Sequence, residues 1–360
     1  MRAAAVSEAI RGEGRKNVLV SSLCMAGYDG VAPGLEVWPA NPSYCRPDIA
    51  RASFVHSLAM AQRADVLGFD WVSVSEHHYA PYIMTPNPCV MAAALAQITR
   101  RAKIALLGPL VPLSNPVRLA EELAMVDMLS GGRLVVLFLR GTPNEHRTYD
   151  SDASATKGMT QEGIDLILKA WTADEPFAWE GEHYRFGTVS VWPRTIQSPH
   201  PPIYGSGNSE DSIRFAAARR MGIAFSFAPP EIVRDWVKLY REAATEAGWE
   251  PGPEHVIYRG IAYAAESDAQ AINDMGAFFG KKVAEQAQIQ QATLGGPPVV
   301  PLVLEPYFVG GAQTLKGKLE AIRDCGVGVV DLAWGIGDPA QREAALELFA
   351  AEVLPAAQAL

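Results

Sequence analysis

The feature that most constrains the fold of this chain is a regular alternation of short apolar runs with longer segments of helical period. This alternation is typical of βα units, which build a mainly parallel sheet. About eight such units follow one another along the chain. Their strands are expected at Val18–Ser22, Trp71–Ser75, Lys103–Leu107, Leu134–Leu139, Pro202–Gly205, Ala224–Phe227, Val256–Ala264 and Val329–Leu332. We therefore predict an α/β fold, a (β/α)8 TIM barrel.

The helix after the third strand carries clear local signals. Asn115 is a good N-cap, Pro116 suits the first helical position, and Gly131 can end the helix in a left-handed conformation. Further helices are expected at Ile49–Leu67, Pro88–Thr99, Gln161–Ala173, Glu210–Met221, Glu231–Ala247 and Pro339–Leu354.

The length of 360 residues fits one barrel domain with insertions. We assign residues 17–360 to this domain and residues 1–16 to a flexible N-terminal arm, which is charged and lacks the apolar core of a secretory signal. Two stretches, Phe177–Pro201 and Phe278–Gly311, interrupt the alternation. Because long insertions in compact folds are usually functional, we expect both at the C-terminal face of the barrel, as lids over the substrate.

Net charge and cysteine spacing restrict the partners and the compartment. The chain carries 31 basic and 40 acidic residues, for a net charge of -9, which disfavours nonspecific binding to nucleic acid or anionic membranes. Pro, Gly and charged residues interrupt every apolar run before the ~18 residues that a membrane span needs. The four cysteines form no CxxC pair, so we expect reduced thiols and a cytoplasmic protein.

Reactive groups of a (β/α)8 barrel gather at the carboxyl ends of its strands. The second strand is followed by Glu76, His77 and His78. A neutral imidazole can donate, accept or relay a proton near pH 7, and a neighbouring carboxylate can fix its tautomer. Both a catalytic and a structural role fit this cluster. The HxH and HExxH spacings of metal sites are absent, so we assign no metal ligands.

Three other strand ends carry small or cationic residues. Gly108 follows the third strand and would let a flat ring lie against the backbone, although a tight turn would also explain it. Arg140 follows the fourth strand, where it could bind a phosphate or a polarised carbonyl, or form a salt bridge with a loop carboxylate. The fifth strand leads into small polar residues that form either an anion site or a simple helix cap: Ser206, Gly207, Asn208 and Ser209.

A longer string of segments connects these positions: Leu67–Asp70, Glu76–His78, Ala92–Thr99, Asn115–Glu122, Asp127–Arg133 and Arg140–Gly141. In this order and at this spacing they resemble the flavin-dependent luciferase-like monooxygenases, in particular the bacterial luciferase α-subunit type. The likeness spans about Val18 to Gly248 and fades toward the C-terminus. The fold of that family is a (β/α)8 barrel, in agreement with the alternation of strands and helices.

The resemblance implies reduced flavin mononucleotide (FMN) as the cofactor and gives roles by position. His77, with His78 beside it, would be catalytic and lie next to the flavin, and Glu76 would belong to the flavin pocket. Leu107 and Gly108 would carry an unusual peptide bond against the ring. The other implied cofactor-binding residues are Arg140, Gly141, Lys157, Ser206, Gly207, Asn208 and Ser209.

Two departures from the family pattern affect the phosphate side. Lys157 stands where a phosphate-binding arginine is usual, so the charge is kept and the planar fork is lost. The stretch Gly205–Ser212 is longer than in bacterial luciferase. Asp127 and Arg133 also belong to the family string, and we assign them to a structural ion pair.

By resemblance, the expected reaction is an FMNH2-dependent monooxygenation, in which a flavin C4a-hydroperoxide formed from O2 oxygenates a small organic substrate. Because the chain has no nicotinamide fingerprint, a separate flavin reductase is the expected electron source, and a homodimer is the expected assembly. Met25, Tyr79 and Trp334 are assigned to the substrate wall, with a core role as the alternative.

Two other functions stay open. One is an F420-dependent oxidoreductase, which would use a deazaflavin on the same barrel; the run Glu76–His78 favours the FMN version. The other is a non-catalytic partner subunit of a heterodimer, which the presence of His77 and Arg140 disfavours.

Overall fold

The computed structural model describes residues 18–34, 37–207, 209–293 and 308–360. Its strands are β1 Leu19–Leu23, β2 Trp71–Val74, β3 Lys103–Leu110, β4 Leu134–Leu139, β5 Phe177–Glu180, β6 Arg185–Val189, β7 Ile203–Ser206, β8 Gly222–Ser226, β9 Val256–Ala264, β10 Phe308–Gly310 and β11 Val329–Ala333. Eight of these strands pair in parallel, in the order β1-β2-β3-β4-β7-β8-β9-β11, and β11 pairs with β1 to close the ring. The predicted (β/α)8 barrel is confirmed. The predicted N-terminal arm, residues 1–16, lies outside the described residues.

Helices connect the strands and cover the outside of the barrel. They are α1 Pro47–Leu67, α2 Pro88–Ile98, α3 Pro116–Ser130, α4 Pro143–His146, α5 Thr156–Thr172, α6 Glu210–Ala218, α7 Pro230–Glu246, α8 Asp268–Thr293, α9 Ala312–Asp324, α10 Pro339–Glu352 and α11 Leu354–Ala359. The predicted cap of α3 is present, because the Asn115 side chain accepts hydrogen bonds from the N–H groups of Val117 and Arg118. In the part of the chain that the structure describes, no helix is long and apolar enough to cross a membrane.

The inside of the barrel is packed. Successive residues of a strand face opposite sides of the sheet. The inward side chains form one cluster that includes Trp71, Tyr204, Ile257 and Val329, each of which is at most 2% exposed. Trp71 and Val329 are the first residues of their strands, so this cluster fills the amino half of the barrel. The open space for chemistry therefore lies at the carboxyl ends of the strands.

The first irregular stretch, residues 177–201, forms the antiparallel hairpin β5-β6. The hairpin is fastened to α5, where Glu162 accepts hydrogen bonds from Trp179 Nε1 at 2.9 Å and from the N–H of His183 at 2.8 Å. Because the stretch connects the end of α5 to the start of β7, its base lies at the amino ends of the strands. Its tip lies beside the first turn of α5, where a Cβ atom on Gly158 would overlap the His183 ring, so the hairpin extends from this base toward the C-terminal face. Its role as a lid stays a prediction.

The second irregular stretch, residues 278–311, begins inside a helix that the sequence reading did not predict. Helix α8 runs from Asp268 to Thr293, and residues 294–307 lie outside the described residues. The chain is described again from Phe308, where β10 pairs in parallel with the carboxyl end of β9. This end of the stretch lies at the C-terminal face, as predicted; its role as a lid stays a prediction.

Asp127 and Arg133 are structural, but they do not pair with each other. The Asp127 carboxylate accepts hydrogen bonds from the N–H groups of Ile196 and Gln197, at 2.6 and 3.0 Å. The Arg133 guanidinium donates to carbonyl oxygens, among them that of Ala102 at 2.8 Å. The predicted ion pair is therefore wrong, because each charged group fastens a different segment of backbone to the barrel.

Candidate active site

The carboxyl ends of β2, β3 and β4 are neighbours in the barrel, so the residues that follow them meet at one place. The peptide bond between Leu107 and Gly108 is cis, which confirms the unusual peptide bond that the resemblance predicted here. A Cβ atom on Gly108 would overlap the carbonyl oxygen of Leu137 on the adjacent strand. Only glycine fits at this position, because the carbonyl oxygen of Leu137 occupies the space that a side chain would need.

His77 contacts a carboxylate that comes from a different strand end. Nδ1 of His77 lies 2.7 Å from Oε1 of Glu145 in helix α4, and Oε2 of Glu145 accepts a hydrogen bond from the N–H of Thr142 at 2.9 Å. Burial by itself would raise the pKa of Glu145, but the hydrogen bonds from His77 and Thr142 outweigh it and hold this pKa below its usual value. An ionised carboxylate only accepts hydrogen bonds, so Nδ1 of His77 carries the hydrogen and donates it.

The second ring nitrogen of His77, Nε2, is thereby left as an acceptor. The side chain is 23% exposed, and among the described residues Nε2 has no hydrogen-bond partner. Tyr82 packs edge-on against the imidazole with 5.1 Å between ring centroids, and burial, with Glu145 nearby, raises the pKa of Tyr82 to about 12. Tyr82 therefore stays neutral, and Nε2 of His77 can take up and return a proton at the barrel mouth.

Glu76 and His78 form a second carboxylate–histidine pair, and this one is buried. Oε1 of Glu76 lies 3.0 Å from Nε2 of His78, and Oε2 accepts a hydrogen bond from the N–H of Leu110 at 3.0 Å. Burial raises the pKa of Glu76, and the hydrogen bonds from His78 and Leu110 offset only part of this rise. Glu76 thus connects the end of β2 to the end of β3.

The structure does not support a catalytic role for His78. Its ring is 3% exposed and packs against the Tyr149 ring at 5.4 Å between centroids, while its one short polar contact is with Glu76. A group so enclosed cannot touch a substrate. We therefore correct the predicted catalytic role of His78 to a positioning role. His78 holds Glu76 in place, and Glu76 in turn holds the end of β3.

Arg140 is exposed at the end of β4. In the described ranges its guanidinium forms no ion pair, so the salt bridge that the sequence left open is not observed. Its carbonyl oxygen accepts a hydrogen bond from Nε2 of His146 at 3.1 Å, and Gly141 follows with a φ of 91°, a conformation that favours glycine. The charge of Arg140 is therefore available to a ligand at the mouth.

The predicted phosphate residues partly converge at the start of α6. Nζ of Lys157, in the first turn of α5, lies 2.6 Å from Oδ2 of Asp211, in the first turn of α6. Ser209 caps α6, because its Oγ accepts a hydrogen bond from the N–H of Ser212 at 3.3 Å. The helix cap is therefore present, and it brings a cation and a helix N-terminus to the same place. Whether the cap also binds an anion stays a prediction.

Ser206 and Gly207 lead from β7 into this cap. Ser206 is partly exposed at the end of the strand, whereas Gly207 is buried, and a Cβ atom on it would overlap the Phe225 ring. Asn208, which was also predicted to bind the cofactor, lies outside the described residues.

Two of the three predicted substrate-wall residues lie near the mouth. Met25 packs against apolar residues at the ends of β1 and β11 and in the loop after β2, namely Leu23, Ile83 and Ala333. Tyr79 is 52% exposed and its hydroxyl donates to the carbonyl oxygen of Thr148 at 3.3 Å. Their contact with substrate stays a prediction.

Trp334 belongs to the core. It is 3% exposed, its Nε1 donates to Ser22 Oγ at 3.0 Å, and its ring meets the Phe349 ring at 5.6 Å between centroids. The prediction that Trp334 lines the substrate space is wrong, because the indole is buried among core residues and its N–H is bonded to Ser22.

Sequence reasoning missed three charged residues at this end of the barrel. Glu145 had a local signal, since Thr142 and Glu145 have the T-x-x-E spacing of a capping box just after Arg140. Arg259 and Asp331 are single charges inside the otherwise apolar strands β9 and β11. Across the described ranges, no group of three or more His, Cys, Asp or Glu side chains could hold a metal ion.

Comparison with known proteins extends these observations. The family model described as luciferase-like monooxygenase matches residues 40–327. The chain is 26% identical over 320 residues to the oxygenase component of the flavin-dependent trigonelline monooxygenase of Acinetobacter baylyi, which covers 83% of this chain and 88% of that protein. It is 31% identical over 189 residues to the uncharacterized protein y4wF of Sinorhizobium fredii, covering 52% of this chain and spanning about half (55%) of that relative.

The fold is also found among solved structures. The crystal structure of the monooxygenase RslO1 from Streptomyces bottropensis superposes with a TM-score of 0.77 at 26% identity, covering 94% of this chain and 99% of the other. The two barrels are thus alike over nearly their whole length. Since the family model spans the chain from residue 40 to residue 327, the chain belongs to the luciferase-like monooxygenase family.

Proposed function

We propose that this protein is an FMNH2-dependent monooxygenase that binds reduced FMN at the carboxyl ends of its strands and transfers one oxygen atom from O2 to a small organic substrate. The observation that carries the proposal is the His77–Glu145 pair, which presents a free Nε2 at the mouth of a barrel of this family.

The residues at the mouth fit FMN. The cis peptide bond between Leu107 and Gly108 lies on β3, between β2 and β4, and would rest against the flavin ring. Lys157 and the capped N-terminus of α6 supply positive charge and N–H donors of the kind that hold a phosphate. Arg140 adds a guanidinium that has no ion-pair partner among the described residues, on the same face of the barrel. The ring and the phosphate would thus be held by separate strand ends.

Reduced FMN, when bound, supplies two electrons to O2. The protein's own contribution is to hold and move a proton and to exclude water. Nε2 of His77 would accept a proton from the reacting oxygen and return it, and Glu145 would keep the imidazole in the tautomer that leaves Nε2 free. Glu76, through Leu110, would keep the end of β3 in place beneath the ring.

We also propose that a separate flavin reductase supplies the reduced cofactor. The Acinetobacter baylyi relative is named as an oxygenase component, and a nicotinamide-binding fingerprint is absent from the sequence. A homodimer and a cytoplasmic location stay predictions. The apolar side chains exposed on the neighbouring helices α2 and α3 are consistent with self-association: Val90, Met125, Met128 and Leu129.

Equilibrium binding under nitrogen tests the cofactor. We expect reduced FMN to bind the protein and to be competed only weakly by reduced F420, as measured by ultrafiltration and absorbance of the free ligand. Binding of F420 without FMN would favour the hydride-transferring alternative. Binding of neither would favour the non-catalytic subunit.

A further inference from the structure

A buried ionic network crosses the inside of the barrel below the strand ends. Nε of Arg259, on β9, lies 2.7 Å from Oδ2 of Asp331, on β11, and Nη1 of Arg259 donates to Ser75 Oγ at 3.1 Å. Ser73, on β2, donates to the other oxygen of Asp331 at 2.6 Å. Strand β1 separates β11 from β2, so these bonds span the inside of the barrel.

Packing alone does not explain this network. The amino half of the same barrel is filled with apolar and aromatic side chains such as Trp71 and Ile257, and an ion pair in such a place is often no more stabilising than an apolar filling. Arg259 and Asp331 lie above that filling, in the half that faces the mouth. A charged pair that packing does not require is a candidate for function.

Among the described residues, two buried polar atoms at the level of this network have no hydrogen-bond partner. They are Nη2 of Arg259 and Oγ of Ser21, a residue in register with Asp331. Both atoms are buried, and a buried donor without an acceptor is unfavourable. An oxygen acceptor brought into the barrel would remove this cost at Arg259.

The Arg259 side chain is partly exposed, although its Nη2 atom is buried. Its side chain is 14% exposed, whereas Asp331 is fully buried and Ser75 is 2% exposed. The amino half below is closed by the packed cluster around Trp71, so the exposed part of Arg259 points toward the carboxyl ends. Ser75, which Arg259 contacts, lies two residues before His77 along the chain.

We propose that Arg259 is a specificity-determining residue that donates a hydrogen bond to an oxygen acceptor, a carbonyl or carboxylate oxygen, of the small substrate. Asp331 is a positioning residue, because its carboxylate fixes the plane of the guanidinium. The proposal rests on the proposed function in that the acceptor belongs to the substrate of that reaction. The proposal adds a residue that selects the substrate. This residue lies below His77 on β9, a strand that carries none of the proposed flavin-binding residues.

Binding of small probes to the flavin-free protein tests this inference. The probes are cyclohexanone, cyclohexanecarboxylate, cyclohexylamine and methylcyclohexane, which share a ring and differ in the polar group; saturation-transfer NMR gives their relative affinities. The variants are Arg259→Met and the double variant Arg259→Met with Asp331→Asn, which leaves no unpaired charge in the barrel. Arg219→Met is the matched control, since Arg219 forms a bidentate pair with Asp165 on the outside.

We expect cyclohexanone or cyclohexanecarboxylate to bind the wild type and the Arg219 variant at least tenfold more tightly than methylcyclohexane or cyclohexylamine. This preference should disappear in both Arg259 variants, and the oxygen-bearing probe that binds more tightly identifies the acceptor as carbonyl or carboxylate. The inference is overturned if the wild type shows no preference for oxygen acceptors, or if the preference survives in the folded double variant. The assay contains neither flavin nor turnover, so its failure leaves the cofactor experiment to decide the proposed function separately.

Discussion

His77 and Glu145 are 68 positions apart in the sequence, yet Nδ1 of His77 lies 2.7 Å from Oε1 of Glu145. The contact joins the loop after β2 to the short helix after β4, and it decides which nitrogen of the imidazole is free. Because the carboxylate is 4% exposed and also accepts from the N–H of Thr142, its position is set before any ligand arrives. The role of His77 therefore depends on Glu145.

Replacing Glu145 with Gln should lower turnover without preventing flavin binding. Gln keeps the shape but can no longer hold the imidazole by charge, so we expect the O2 uptake coupled to substrate oxygenation, measured as total O2 uptake minus the uptake that releases hydrogen peroxide, to fall by about ten- to a hundredfold at saturating reduced FMN. Glu145→Asp keeps the charge and should recover part of the rate. A pH profile of kcat and the Kd for FMN separate the two effects. Unchanged kcat in Glu145→Gln would show that the pair is structural only.

Replacing Gly108 with Ala should destabilise the barrel, because the added Cβ overlaps the carbonyl oxygen of Leu137. Overpacking of this kind costs about 1–3 kcal/mol, measured as the free energy of unfolding in urea. Gly187→Ala is the control: nothing lies within 4 Å of a Cβ atom at Gly187, and we expect a change below about 0.5 kcal/mol there. Equal effects at both positions would refute the close approach of β3 and β4.

The sequence alone was enough to predict the barrel, because the spacing of apolar residues marks the strands and, together with capping residues, most of the helices. It also located His77, which directly follows the apolar strand β2. It could not pair His77 with Glu145, because that contact depends on how two loops close over neighbouring strands. For the same reason the sequence could not show that His78 is buried. In the structure its ring is 3% exposed, which argues against a catalytic role.

Changing the ion pair at the start of α6 should alter FMN affinity in both directions. Lys157→Ala removes the cation and should weaken binding by about tenfold, or ~1.4 kcal/mol. Asp211→Asn removes the carboxylate that now faces Lys157 at 2.6 Å, so it should tighten binding. Both effects should shrink as salt is added, because these groups are exposed. Lys238→Ala, on α7, is the control, and a loss of affinity there as large as in Lys157→Ala would argue against a phosphate site.

The buried carboxylate of Glu76 should give the protein a distinctive pH dependence. Burial raises the pKa of Glu76 in the folded state, so the folded protein binds its proton more tightly than the unfolded chain does. The unfolding free energy should therefore fall as pH rises from about 4.3, the ordinary glutamate value, through the raised pKa. Glu76→Gln cannot titrate, and urea unfolding across this pH range should show a flatter curve. A curve as steep as that of the wild type would assign the effect to another group.

Arg259 and Asp331 show a second limit of the sequence. Each is a lone charge within an apolar strand, and no local sequence pattern indicates that the two strands are neighbours. Only the closed order of the barrel places β9 beside β11 and shows that the charges face inward. Two opposite charges inside buried strands would have been a usable signal, had the strand order been known.

The most direct test of the account is the rate at which bound reduced FMN becomes oxidised after rapid mixing with O2. We predict that oxidised FMN appears at least about tenfold more slowly from the wild type than from His77→Ala, since Nε2 of His77 controls the proton at the reacting oxygen. Circular dichroism of the variant confirms that it is folded. Identical traces for the wild type and a folded His77→Ala variant that binds FMN would contradict the account.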